Sequence, residues 1–190
     1  MVVTNILDVA TKTEQTRERI ESVAIALFLQ QGFDETTVAQ IAAAAGVSEM
    51  TFFRYFRSKD AVVVDDPYDP MLAAAIAERP LSESPLARVA EGIRAAWRSV
   101  PEPVDSRTRD RVRIASSTPS LLGGMWSNNA ATEAVIADQL IADGVDELRA
   151  RVAASACLGA LIAALLHWAR TEGASLADHI ERALDVVVAR

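Results

Sequence analysis

Ser48, Thr51, Arg54, Arg57 and Lys59 lie close together in the sequence, interleaved with Phe52, Phe53, Tyr55 and Phe56. Hydroxyls donate to phosphate oxygens, arginine forks onto guanine edges, and lysine supplies a compact charge for phosphate. The chemistry these residues can do is therefore recognition of nucleic acid. Catalysis is poorly supplied. His167 and His179 are the only histidines, and neither belongs to a His-Glu-x-x-His pair. Cys157 is the only cysteine, and the sequence holds no glycine-rich phosphate loop. An enzyme is not expected, nor is a metal or cofactor. His167, beside Trp168 in an apolar stretch, reads either as a core or interface histidine or as a group that recognises a ligand.

The recognition residues need short helices to present them. Thr37 caps a first helix, with Gln40 at the spacing that returns a bond to the cap, and Val38, Ile41, Ala42 and Ala45 form its apolar stripe. Gly46 ends it, and Ser48 caps the next helix. There Phe52 and Phe56, four apart, share a buried face, while Met50, Phe53, Arg54 and Arg57 fall on the opposite one. An earlier helix, capped by Thr11 with Glu14 and carrying Ile20, Val23, Ala24, Leu27 and Phe28 inward, is expected to buttress this pair until Gly32 stops it.

The run T-V-x-x-I-A-x-x-A-G-V-S-x-x-T-F-F-x-Y-F-x-S-K from Thr37 to Lys59, preceded by Gln31-Gly32-Phe33, resembles the N-terminal domain of the tetracycline-repressor-like (TetR) family. The resemblance implies an all-α, homodimeric transcriptional regulator, with a three-helix helix-turn-helix domain and a C-terminal helical body for ligand binding and dimerisation. Position by position, Thr37 and Lys59 would hold phosphate. Ser48, Glu49, Met50, Thr51 and Arg54 would meet bases, and Tyr55 backbone or base. Phe53 stands where the family usually has tyrosine, removing a hydroxyl contact, and Glu49 brings a negative charge close to DNA. Further on, Tyr68-Asp69-Pro70 and the Ala164 to Ala169 segment resemble the subgroup of such regulators associated with mycofactocin clusters.

The 190 residues divide on this reading into a mobile arm (1–10), a DNA-binding domain (11–57) and a body (58–190). Net charge is −7, with −2 in residues 1–60 and −5 in the remainder, which argues against a general polyanion binder and leaves the cluster of Arg54, Arg57 and Lys59 as the head's DNA-facing positive charge. A single cysteine in an apolar run gives no intrachain disulfide framework, and residues 1–10 lack the pattern of a signal peptide, so the expected compartment is the cytoplasm.

In the body, Ser58 opens a helix to about Val64, Asp65-Asp66-Pro67 breaks it, and Asp69-Pro70 restarts it. Ser84-Pro85 and Thr118-Pro119 mark further helix starts. The first leads into a stripe of Leu86, Val89, Ile93, Trp97 and Val100 that ends at Pro101-Glu102-Pro103. Arg107, Arg109, Arg111 and Arg113 read as a solvated helix face, with an anionic ligand at Arg111 or Arg113 as the other reading. A helix over Leu121 to Ala142 carries Met125 and Trp126, and its Asn128, Asn129 and Thr132 fit either an exposed face or a pocket wall. Val152 to Ala169 is long and apolar enough for a membrane span, but its small stripe (Ala156, Gly159, Ala163) and large stripe suit a soluble core helix. With a last amphipathic helix capped by Ser175, it is expected to form the dimer interface.

Trp97, Met125, Trp126, Asn129 and His167 are the candidate lining of a ligand pocket for an apolar, aromatic or acyl-like effector. The function expected is a repressor released from a palindromic double-stranded operator by that effector. A carrier protein that no longer reads DNA and an architectural DNA binder without a ligand are the alternatives.

Overall fold

No glycine or proline interrupts the chain from Val3 to Gln31, and it forms one helix of 29 residues, α1 (Val3–Gln31). The helix therefore begins before the start expected at Thr11. A Thr-x-x-Glu pattern caps only where the preceding backbone leaves donors unpaired, and here residues 3–10 are already helical. The structure, a computed structural model, describes residues 3–65, 69–99 and 106–189, with side chains from residue 12 onward except at 69 and 70. Asp66, Pro67 and Tyr68 of the expected junction, and Val100 and the Pro101-Glu102-Pro103 break, lie outside the described residues.

Among the described residues all regular structure is helical. After α1 come α2 (Val38–Ala44), α3 (Glu49–Tyr55), α4 (Ala61–Val64), α5 (Asp69–Ala77), α6 (Pro85–Arg98), α7 (Arg107–Ser117), α8 (Pro119–Ala142), α9 (Glu147–Arg170) and α10 (Leu176–Val188). Three of the expected caps are formed as the sequence puts them. Thr37 and Gln40 form a reciprocal capping box on α2, Ser84 caps α6, and Ser175 caps α10. Gly46 takes φ +65°, a left-handed turn that costs glycine little, and the amide of Val47 closes back on the Ala42 carbonyl at 2.9 Å. Thr118 precedes Pro119 as expected but makes no side-chain cap bond.

Two apolar clusters hold these helices. The first joins Ile20, Ala24 and Phe28 of α1 to Phe33, Ile41, Phe52 and Phe56, and also takes in Ala61 to Val63 of α4, Ile114 and Ala115 of α7 and Leu121 of α8. The second joins α5, α6, α8, α9 and α10 through Leu72, Ile76, Ile93, Ile136, Leu158 and Ile180. The packing units thus do not follow the expected division at residue 58, because α4, the end of α7 and the start of α8 complete the first cluster. Gly92 lets α6 cross α5 closely, since a Cβ there would stand 2.4 Å from Ile76 Cγ1.

Helix α9, with a mean hydropathy of 1.9, passes the length and composition test for a membrane span. It is the central helix of the second cluster, burying Ala150, Ala154, Cys157, Leu161 and Trp168. Burial pushes the Cys157 thiol up to about 12, so it stays protonated. The arginines of α7 correct another expectation. Arg109 donates to the carbonyls of Trp168, Thr171 and Ala174 and stacks 4.4 Å over the Trp168 ring, and Arg113 donates to the Ala169 carbonyl at 2.7 Å. Arg109 and Arg113 are thus cations at the end of α9, where helix carbonyls lack partners, rather than members of a solvated face.

Candidate nucleic-acid interface and effector cavity

The outward face of α3 is built by what its inward face buries. Phe52 and Phe56 are 0% and 2% exposed and pack 5.7 Å apart, which turns Glu49, Met50, Phe53 and Arg54 to the solvent. Met50 is 84% exposed and Phe53 52%, an apolar exposure unusual on a charged surface and available to base methyl groups or sugars. Ser48 accepts from the Thr51 amide at 3.1 Å and its hydroxyl pairs with that of Thr51 at 3.0 Å, so both are ordered before any partner arrives. Thr37 is exposed at the start of α2, its hydroxyl accepting from the Gln40 amide.

Arg54 lies over the Tyr55 ring at 5.2 Å, and its hydrogen bond holds the Tyr55 hydroxyl below the usual tyrosine range. Arg57 is exposed and pairs with Asp65 at 3.1 Å. Lys59 is placed differently from the expectation of a phosphate contact. Its ammonium donates to the carbonyls of Phe33 at 2.7 Å, Asp34 at 3.2 Å and Thr36 at 2.9 Å, and sits 4.4 Å over the Phe33 ring. Its three N–H bonds are all engaged, and its role in the structure is to fasten the turn after α1 to the exit of α3.

Two further head cations escaped the sequence reading. Arg17 donates to the Tyr55 carbonyl at 2.9 Å while stacking over Phe56, and Arg19 donates to the Ala45 carbonyl at 3.0 Å. Both run from α1 to the last turns of α3 and α2. Charge on a long helix gives no sign in the sequence of which carbonyl it will reach.

Below the head is a cavity of about 300 Å³. Its walls come from both clusters: Val63, Val64 and Ala115 on the head side, and Leu72, Leu158 and Leu161 on the body side. Of the five expected lining residues, Trp97, Met125, Trp126 and Asn129 are brought together here. Trp97 is half-buried, whereas Trp126, 68% exposed, stands at the rim. His167 is the exception. On α9 the lining residues are Leu158, Leu161, Ile162, Leu165 and Leu166, and one further residue is a rotation of about 100° that carries His167 out of the cavity. It is exposed, with its Nδ1 3.0 Å from Nε2 of His179 on α10. The two readings of Asn128, Asn129 and Thr132 resolve in favour of a wall, since all three line the cavity. Arg111, named in the sequence only as a secondary option, also lines it.

Comparison with known proteins adds to this geometry. A family model described as bacterial regulatory proteins, tetR family, matches residues 20–65, and one described as the MftR C-terminal domain matches residues 83–190. The transcriptional regulator TcmR of Streptomyces glaucescens is 35% identical over 143 residues, covering 71% of this chain but only 63% of its own length. The Mycobacterium tuberculosis protein MftR, named for regulation of mycofactocin biosynthesis, is 30% identical over 185 residues, 94% of this chain and 92% of its own. Among solved structures, NalD of Pseudomonas aeruginosa, the secondary repressor of the MexAB-OprM multidrug efflux pump, is 25% identical with a TM-score of 0.57, over 93% of this chain and 95% of its own.

Proposed function

The chain belongs to the TetR family of bacterial transcriptional regulators, DNA-binding proteins that respond to small molecules and act as dimers, and we propose that it is a homodimeric repressor released from a palindromic operator by an apolar or acyl-like effector. The observation that carries this reading is the position of the cavity. It lies on the seam between the cluster that supports α3 and the cluster that forms the body, so a molecule filling it presses on both. An effector then shifts the balance between DNA-binding and non-binding forms by its differential affinity for them. Thr37, Ser48, Glu49, Met50, Thr51, Phe53, Arg54 and Tyr55 face the operator on this reading. Lys59 supports them from behind.

Dimerisation is assigned to α9 and α10. Leu148, Val152 and Val186 are 71%, 58% and 79% exposed, and Gly159 and Ala163, also exposed, permit close approach of a second copy. Two heads on such a dimer read half-sites one helical turn of DNA apart, or a multiple of it. The site of action is the cytoplasm, where the operator is.

Footprinting the purified protein on the DNA upstream of its own gene, across a salt series, tests the reading. A protected palindrome that persists near physiological salt is the expected result. Weak, unpatterned protection that vanishes with modest salt would favour the carrier protein instead.

A further inference from the structure

Helix α4 has only four residues, and its last carbonyls have no partner within the helix. Arg111 of α7 supplies one. Its guanidinium donates to the carbonyls of Val63 at 3.2 Å and Asp65 at 2.7 Å, and pairs with the Glu21 carboxylate of α1 at 3.2 Å. One planar fork thus joins body helix α7 to both α1 and α4. The same side chain lines the cavity, as do Val63, Val64 and Asp65. Asp65 continues the connection, because its carboxylate pairs with Arg57, which follows directly after α3 and Phe56.

From this geometry we infer that Arg111 is the positioning residue through which occupancy of the cavity reaches the DNA-binding head; the inference rests on the reading of the cavity as the effector site. A guanidinium is rigid, and three acceptors on two helices fix its plane. A guest lodged between Val64 of α4 and Leu161 or Leu165 of α9 pushes α4 away from the body. Arg111 cannot follow α4 and keep Glu21 as well, so the fork gives up part of its set, and Asp65 and Arg57 shift with α4. Without Arg111 the head and body still fold on their own clusters, but filling the cavity no longer has a fixed consequence at α3.

The test uses the full-length protein, a DNA fragment selected for binding to the wild type, and dodecanol, an uncharged apolar chain that fills the cavity without competing as an anion for the guanidinium. Binding of dodecanol is read from the fluorescence of Trp97 and Trp126, and the state of α4 from amide exchange at Val64 and Asp65. In the wild type, dodecanol should weaken DNA binding by roughly 5- to 150-fold, the usual range for coupled sites. In Arg111→Gln, at dodecanol concentrations that saturate the cavity by tryptophan fluorescence, DNA affinity should change less than about twofold. The Val64 and Asp65 amides should exchange roughly tenfold faster than in the wild type.

Arg111→Lys, which keeps the charge but loses the fork, should behave like the glutamine variant; coupling restored by lysine would overturn the role given to the fork. A wild-type release ratio in Arg111→Gln, or unchanged exchange at α4, would overturn the inference altogether. Should Arg111→Gln not fold, Glu21→Gln removes one leg at the edge of the contact, and an unreduced release ratio there is equally decisive against it. No fluorescence change with dodecanol in the wild type would sink the cavity as effector site, and with it transmission from that site, whereas the exchange arm still separates a clamp from a passive contact.

Discussion

The head and the body are both helical, yet they are made rigid by different means. The head core is aromatic, with Phe28, Phe33, Phe52 and Phe56 in ring contact in pairs, and its corners are fixed by cations bonded to carbonyls: Arg17 to Tyr55, Arg19 to Ala45, and Lys59 to Phe33, Asp34 and Thr36. The body core is aliphatic and rich in alanine, and it leaves a cavity of about 300 Å³ against the head. A reader of DNA gains from a fixed recognition helix, and a sensor gains from space that a guest can fill. The difference also teaches that positive charge near the helix proposed to face DNA is not all for DNA, since part of it holds that helix in place.

The comparison breaks most severely at Phe52. Replacing this fully buried ring by alanine should cost about 3–5 kcal/mol. Because Trp97, Trp126 and Trp168 all lie in the body, tryptophan fluorescence follows the body while far-UV circular dichroism follows both regions. In Phe52→Ala the dichroic transition should begin before the fluorescence one. Coincident transitions would show one cooperative unit, with Ile114, Ala115 and Leu121 binding the two regions too tightly to part. Lys59→Ala comes next. Loss of a charged donor to three carbonyls should cost about 1.5–3 kcal/mol, and the salt dependence of DNA binding by the folded variant should keep its slope. A slope lower by about one would mean that Lys59 leaves its carbonyls for a phosphate in the complex.

A milder test lies in the body. Arg88, 1% exposed, donates to Asp143 at 2.6 Å and joins α6 to the end of α8, and this bond holds the Asp143 carboxyl below its usual range. A lowered folded-state value contributes stability above the ordinary carboxylate range, and that contribution is lost as the pH falls through the folded value. Melting temperature in acid should therefore fall less steeply in Asp143→Asn than in the wild type. An unchanged acid limb would place the acid sensitivity elsewhere.

Much of the head was legible in the sequence because its determinants are local. The capping box of Thr37 and Gln40, the turn at Gly46, the Ser48 cap and the Phe52 and Phe56 face are set by neighbours three or four residues away. The same locality explains the failures. Thr11 carries the pattern of a cap, but the backbone before it was already helical. Lys59 and the α7 arginines find acceptors 23 to 90 residues distant, and no spacing rule specifies such partners. The cavity was legible in part for a related reason. Met125, Trp126 and Asn129 follow one another on a single helical face, as the wall reading required, whereas His167 was placed by its neighbours in sequence rather than by the angle at which α9 packs.

The smallest effect on stability, and the one that sharpens the division most, is expected at Arg54. Its guanidinium is exposed and lies over the Tyr55 ring, and it is not among the cations that bind head carbonyls. Arg54→Ala should change stability by no more than about 0.5 kcal/mol, as exposed substitutions usually do. It should also let the Tyr55 hydroxyl rise toward its ordinary range, because the hydrogen bond that lowers it is gone; absorbance titration of the phenol checks this. Operator binding should weaken, by about 1–3 kcal/mol if the fork reads a guanine, with preference relaxed at one base position. Uniform weakening across all sequences would assign Arg54 to phosphate, and no weakening would remove it from the interface. In each case the fold is spared, which separates the residues that read from those, such as Lys59, that hold the reader.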